Sequence, residues 1–165
     1  MTTRTDYSDE EWKNIMAAPI MAGLYVAMAA GSGPIDTLKE ASSIAHSLTD
    51  LVQKGSANEL ISAWIDEIKP KEGQAVQMKE VVQVNAKTTA ELRSATIDTL
   101  QQANAALAKA TPDEAAEYKQ IVMTISQRVA EAGKEGGFLG IGGTRVSPPE
   151  TNAMQEIAAA IGTAA

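Results

Sequence analysis

A run of sixteen consecutive residues without a charge, residues 15–30, constrains the fold more than any other stretch of the sequence. No other stretch is apolar on every side of a helix. A helix that is apolar all round is a buried helix, so the run predicts a central helix that the other elements cover. Pro19 suits the first turn of a helix and would kink a continuous one, so we predict a short helix up to about Ala17 and then the buried helix to Ala30.

The composition favours helices over sheets. Only 4% of the 165 residues are aromatic, so small and aliphatic side chains must fill the interior, and small side chains let helices approach closely. The length of the chain fits one domain that is large enough to bury a hydrophobic core. We therefore predict one domain over residues 1–165 with an all-α fold, a compact bundle of about six helices around the buried central helix.

A capping motif that recurs along the sequence indicates where the helices begin. In a capping box, a Ser or Thr hydroxyl accepts from the amide three residues on, and a Glu at that position accepts from the amide of the first residue. One match means little, but the sequence has five, each before an apolar segment. They are Ser8/Glu11, Ser56/Glu59, Thr88/Glu91, Thr111/Glu114 and Ser147/Glu150.

Glycine and proline mark where the predicted helices end. After the break at residues 31–34 we predict helices over about 34–54, 56–69, 89–110, 112–134 and from Pro148 onward. Residues 70–87 show only partial alternation of apolar residues, so we predict a long connection there. Residues 134–150 form a second predicted connection, a glycine-rich loop before the last helix.

The charge balance narrows the classes of partner. The net charge is −7 and the pI is about 4.7, and a nucleic-acid surface would instead need a basic face. The sequence has no cysteine, which excludes disulfides and thiolate ligands and fits a reducing compartment. The residues before the central run are acidic, unlike a secretory leader, and the run is short for a membrane span. We predict a cytoplasmic protein without a transmembrane segment.

The glycine-rich loop is the main candidate for a binding site. Its glycines allow a close backbone approach, a helix start follows, and Arg145 adds a positive charge, which together would suit an anion. Alternatively, its apolar residues contact a partner protein, or they fill the core while the glycines form a turn. The candidate binding residues are Gly137, Phe138, Leu139, Gly140, Ile141, Gly142, Gly143 and Arg145.

No catalytic or metal-binding constellation emerges from the sequence. His46 is the only histidine, and Asp50 lies one helical turn beyond it. Zinc requires three or four ligands, and no second histidine exists. Glu131 and Glu135 lie one turn apart, where like charges usually face solvent. We therefore predict no catalytic residue, no metal site and no cofactor.

Three segments resemble a group of short, all-helical bacterial proteins without an assigned activity. They are KEGGFLGIGGTRVSPPE at residues 134–150, the SDEEW start and the APIMAGLYV run. The ending is also similar to tellurite-resistance TerB-like domains, helical stress-response modules proposed to bind metal. The TerB-like pattern is Asp-Gly, then an apolar residue, then a short acidic helix start. Val146, Ser147 and Glu150 match the later part of this pattern, whereas Gly142 and Gly143 stand in place of the Asp, and the loop is longer.

These features predict a non-enzymatic cytosolic helical module that binds a protein partner or forms a homo-oligomer. The alternative implied by the resemblance is a TerB-like stress-response module that binds a metal or a small ligand. We expect no nucleic-acid binding. Peripheral membrane contact would require Phe138, Leu139 and Ile141 to be exposed together, and we do not expect it.

Overall fold

The computed structural model describes residues 2–29, 31, 34–69, 86–132 and 146–163, with the backbone alone for 34–41. Within these ranges the chain forms six α-helices, two short 3₁₀ turns and no β-strand, and the helices pack against one another as a compact bundle. The all-α prediction is confirmed. The helices are α1 (Asp9–Ala29), α2 (Pro34–Lys54), α3 (Glu59–Ile68), α4 (Thr89–Ala106), α5 (Pro112–Ala132) and α6 (Pro148–Ile161). The 3₁₀ turns are Arg4–Asp6 and Leu107–Lys109.

The central helix is α1. It packs most extensively against α4 and α5, and it also contacts α2 and α6. Nearly every side chain from Ile15 to Ala27 is buried, and Met28 near the end of the helix is 38% exposed. Gly23 lies so close to its neighbours that a β-carbon there would be 2.9 Å from the Ile44 side chain of α2. The charge-free run thus forms the element that the rest of the described chain covers.

The predicted break before Pro19 is wrong, because α1 continues through this residue. An interior proline leaves the carbonyl four residues earlier without an amide donor. That carbonyl belongs to Ile15, and the hydroxyl of Tyr118 on α5 donates a 2.6 Å hydrogen bond to it. Both residues are fully buried. A donor from another helix therefore takes the place of the amide that proline lacks, and the helix needs no break.

Three predicted capping boxes make both of their hydrogen bonds. They are Ser8 with Glu11, Thr111 with Glu114, and Ser147 with Glu150. The hydroxyl of Thr88 also caps α4, but the carboxylate of Glu91 accepts from the amide of Lys87 instead of that of Thr88.

The capping box predicted at Ser56 is wrong. Helix α3 begins at Glu59, and its N-cap residue is Asn58, whose side chain makes no capping hydrogen bond. The Ser56 hydroxyl donates to Glu117 of α5 at 2.8 Å and accepts from the Asn58 amide at 3.1 Å. A contact between helices has replaced the local cap, which shifts the helix start.

Most other helix boundaries agree with those predicted from the sequence. Gly55 has a φ of 65° beyond the end of α2, and Pro148 and Pro112 open α6 and α5. The helix predicted to reach Ala110 stops at Ala106, because the chain tightens into the 3₁₀ turn over Leu107–Lys109. The apolar residues of α3 recur at helical spacing and are all buried: Leu60, Ile61, Trp64, Ile65 and Ile68. Residues 70–85 and 133–145, with most of both predicted connections, lie outside the described residues.

In the described part of the chain, no helix combines the length and the hydropathy needed to span a membrane.

Candidate functional site: a cleft between two helices

All eight candidate residues of the glycine-rich loop lie outside the described residues. They are Gly137, Phe138, Leu139, Gly140, Ile141, Gly142, Gly143 and Arg145. The structure therefore neither brings them together nor separates them, and their role in binding stays a prediction.

The candidate metal pair of His46 and Asp50 has no third ligand among the described residues. His46 and Asp50 are both exposed on α2, and Asp50 accepts a 2.7 Å hydrogen bond from Arg128 of α5. Glu131 accepts from the Gln127 side chain, while Glu135 is not among the described residues. No three described His, Asp or Glu residues are grouped so that they could hold a metal ion.

The most deeply buried carboxylate among the described residues, that of Glu114, stabilises the fold. Glu114, 2% exposed, accepts from the amide and hydroxyl of Thr111 and from the amide and hydroxyl of Thr2. Burial alone would raise its pKa, but these four hydrogen bonds outweigh burial and lower the pKa to about 2. Glu114 thus caps α5 and fixes the start of the described chain at the same time.

A second carboxylate joins three helices. Glu156 of α6 accepts two hydrogen bonds from Arg93 of α4, at 2.7 and 2.8 Å, and one from Tyr25 of α1 at 2.9 Å. Hydrogen bonding by Arg93 lowers the pKa of Glu156 despite some burial. Burial, together with this carboxylate, raises the pKa of Tyr25. The hydrogen bonds of this group link α1, α4 and α6.

A cleft of about 180 Å³ lies between α2 and α5, with α3 at its base. Its floor is apolar and formed by Leu51, Ile61, Ile121 and Ile125. Its rim is polar and formed by Ser47, Asp50, Lys54, Gly55, Glu117, Gln120, Thr124 and Arg128. The floor residues other than Leu51 are almost fully buried and belong to the core, so the cleft is a gap above the core rather than a loose surface groove.

Hydrogen bonds close both ends of this cleft. At one end, Arg128 pairs with Asp50 and also donates a 3.5 Å bond to the Ser47 hydroxyl. At the other end, the Glu117 carboxylate accepts from Ser56 and from the Asn58 side chain. Since residues late in α2 face residues early in α5, the two helices run antiparallel.

The volume indicates what the cleft can accommodate. Small-molecule sites usually enclose about 300–1,000 Å³, whereas a cavity of about 150 Å³ holds one benzene ring. The α2–α5 cleft therefore fits one large apolar side chain. Among its polar rim groups, Arg128 bonds to Asp50 and Ser47, and no rim residue is a histidine or a cysteine. The arrangement suits apolar contact within a charged border.

The sequence pattern predicts only part of the α2–α5 cleft. The apolar period of α5 predicts that Ile121 and Ile125 face the core, and both are buried. It gives no indication that α2 and α5 stand apart above them. Sequence spacing does not reveal contacts between distant helices.

The chain matches no protein-family model, and comparison with curated proteins and with solved structures finds no significant match either. The similarity to TerB-like domains therefore rests on the sequence pattern alone.

Proposed function

We propose that the protein is a non-enzymatic cytoplasmic helical module that binds another protein, or a second copy of itself, through the cleft between α2 and α5. The observation that supports this proposal is the apolar floor of the cleft, formed by the half-buried Leu51 beside core residues. An apolar side chain from a partner would cover the exposed part of Leu51 and remove it from water, which favours association.

The use of the ionisable groups supports a binding role over catalysis. Enzyme sites tend to bring groups with perturbed pKa values together in a cleft. Here Glu114 and Glu156, whose pKa values are both lowered, hold helix ends and neighbouring helices in place. Neither residue lines the α2–α5 cleft.

The glycine-rich loop remains a second proposed contact. Light scattering coupled to size-exclusion chromatography on wild type and on the Phe138→Ser, Ile141→Ser double variant tests it. A dimer that becomes a folded monomer would support self-association through the loop. A folded wild-type monomer whose double variant unfolds would remove the loop as a contact.

Site-specific photo-crosslinking tests the cleft directly. Thr124 is exposed on the rim, so a photoreactive residue at this position reaches any molecule in the cleft. Gln101 on α4 is also exposed and does not line the cleft, so it provides the matched control. We expect the probe at position 124 to form a defined protein adduct in cells that the probe at 101 does not form. Identical adducts from both positions, or none from 124, would contradict the proposal.

A further inference from the structure

The charges that line the cleft form two opposite pairs across it. At one end, Asp50 of α2 lies 2.7 Å from Arg128 of α5. At the other end, Lys54 is the last residue of α2, and Glu117 of α5 binds Ser56 just beyond it. These four charged residues all line the cleft. Each wall therefore carries one acid and one base, and each end of the cleft has one charge of either sign.

These charges remain available for further contacts. Among the described residues, neither Lys54 nor Glu117 forms an ion pair. The hydrogen-bond donors to Glu117 are neutral side chains, and Lys54 is exposed. Asp50 and Arg128 pair with each other, but their side chains are still 59% and 45% exposed. One end of the cleft thus has two opposite charges that are not neutralised, and the other has an ion pair that is open on its outer side.

The middle of the cleft has no charge. It is lined there by the half-buried Leu51 of α2 and by the exposed Gln120 and Thr124 of α5. The floor beneath is already buried, so a partner gains little by covering apolar surface other than Leu51. The pattern of charges therefore decides which partner fits the cleft.

A second copy of the chain matches this pattern by symmetry. In a two-fold symmetric dimer the same surface of both copies meets, so residue i contacts residue j and j contacts i. A two-fold axis along the cleft exchanges its walls, and α2 of each copy then faces α5 of the other. Lys54 meets Glu117 of the second copy, and Asp50 meets Arg128 of the second copy. Every charge on the rim then faces an opposite charge.

The directions of the helices agree with this arrangement. Within one copy, α2 and α5 are antiparallel. The two-fold axis along the cleft keeps these directions, so each helix is also antiparallel to the helix that it faces in the second copy. Four helices with antiparallel neighbours have the usual geometry of a four-helix bundle. Leu51 of each copy then lies over the uncharged middle of the other.

The net charge limits the strength of such a dimer without preventing it. Each copy carries a charge of −7, so two copies repel each other at a distance. At physiological salt, exposed charges more than about 8 Å apart are largely screened, whereas opposite charges in direct contact are screened less. Interfaces below about 1,200 Å² are typical of transient complexes. We therefore expect a weak, reversible dimer.

We propose that the chain forms a transient two-fold symmetric dimer through the α2–α5 cleft, in which Lys54 pairs with Glu117 of the second copy and α2 packs on α5 of the second copy. This inference rests on the proposed function, because it identifies the partner of the cleft as a second copy of the same chain.

Sedimentation velocity on the full chain, from about 10 μM to about 1 mM, tests the inference with two charge reversals. Lys54→Glu acts at the cleft, and Lys13→Glu is the control, because Lys13 is exposed on α1 and does not line the cleft. Both substitutions change the net charge equally. We expect the wild type to dimerise within this range. Lys54→Glu should weaken the dimer about 100-fold, since two attractive contacts become repulsive at about tenfold each, while Lys13→Glu should dimerise like the wild type.

A mixture of two variants tests the symmetry itself. Glu117→Lys alone should also lose the dimer, because it places two bases opposite each other. In an equimolar mixture of Lys54→Glu with Glu117→Lys, both contacts of the mixed dimer again join opposite charges, so dimerisation should return. Circular dichroism checks that Glu117→Lys is folded, since Glu117 also binds Ser56 and Asn58.

Photo-crosslinking of purified protein gives a second measurement that needs no charge reversal. A photoreactive residue at position 124 is placed in ¹⁵N-labelled protein, which is mixed with unlabelled protein. We expect crosslinks from position 124 of labelled chains to residues 47–54 of unlabelled chains. The same probe at position 101 on α4 should give none.

Three results would overturn the inference: a wild type that stays monomeric at 1 mM, a dimer that Lys54→Glu weakens no more than Lys13→Glu does, or crosslinks from position 124 that stay within one chain. The proposed function can fail or survive separately. An adduct with a different protein in cells, formed from position 124 by a chain that is monomeric when purified, would keep the cleft as a protein-binding surface and exclude the second copy as its partner.

Discussion

Replacing Tyr118 by phenylalanine should destabilise the protein because it removes the donor that lets α1 pass through Pro19. In the wild type, the Tyr118 hydroxyl lies 2.6 Å from the carbonyl oxygen of Ile15, and both residues are fully buried. Without this hydroxyl, no amide can take over, since the residue four positions on is proline. A buried acceptor left unpaired costs about 2 kcal/mol, which reduces the folding equilibrium constant about 30-fold.

A double-mutant cycle with Pro19→Ala isolates this effect from the loss of packing. Alanine at position 19 supplies its own amide to the Ile15 carbonyl, so removal of the Tyr118 hydroxyl then leaves no unpaired acceptor. Tyr118→Phe should therefore cost about 2 kcal/mol in the wild-type background and only about 0.5 kcal/mol in the Pro19→Ala background. The effect of Pro19→Ala on its own cancels out of this comparison.

Urea unfolding followed by circular dichroism gives the four free energies of unfolding, provided that the slopes with denaturant agree. A coupling energy of about 1.5 kcal/mol between the two mutations would support the conclusion that the Tyr118 hydroxyl replaces the amide donor that Pro19 lacks. Equal costs of Tyr118→Phe in both backgrounds would show that the hydroxyl does not compensate for the proline.

Three further predictions concern stability. The pKa of Glu114 is about 2 in the folded protein against an ordinary 4.5, so its stabilisation, about 3 kcal/mol, is fully present above pH 4.5 and is lost as the pH falls towards 2. Urea titrations should show Glu114→Gln destabilised at pH 7 with a flatter acid profile than the wild type, whereas Glu91→Gln, at an exposed helix-start glutamate, should lose less stability at pH 7. Gly23→Val should lower the midpoint of thermal unfolding by about 6 °C, because its β-carbon would meet Ile44 at 2.9 Å. Gly162→Ala should cost about 1 kcal/mol in the same assay, because φ is 72° at this position; no change would refute the strain.

The local signals in the sequence predicted most of the fold. The charge-free run identified α1, and Gly55 and Pro148 marked helix boundaries that the structure confirms. These features act within a few residues of chain, so their effect can be judged from sequence. The composition was sufficient for the fold class, because the residues available to fill a core are small and aliphatic.

The predictions from the sequence were wrong where a residue distant in the chain makes the hydrogen bond that a local group was expected to make. Pro19 breaks no helix because Tyr118 lies across from it, and Ser56 caps no helix because Glu117 accepts its hydroxyl. Both partners belong to α5, far along the chain. The cleft was missed for the same reason, since its shape follows from how far α2 and α5 stand apart and not from either helix alone.

The reactivity of Lys54 tests the central claim, that the α2–α5 cleft binds protein, most directly. Lys54 lines the cleft, whereas Lys13 on α1 is exposed and lines no part of it. The rate of lysine acylation at both positions is measured by mass spectrometry in intact cells and on dilute purified protein. We expect Lys54 to react more slowly relative to Lys13 in cells than in the purified protein, because a bound partner covers it. An unchanged ratio of the two rates would mean that the cleft is open in the cell, and would contradict the account.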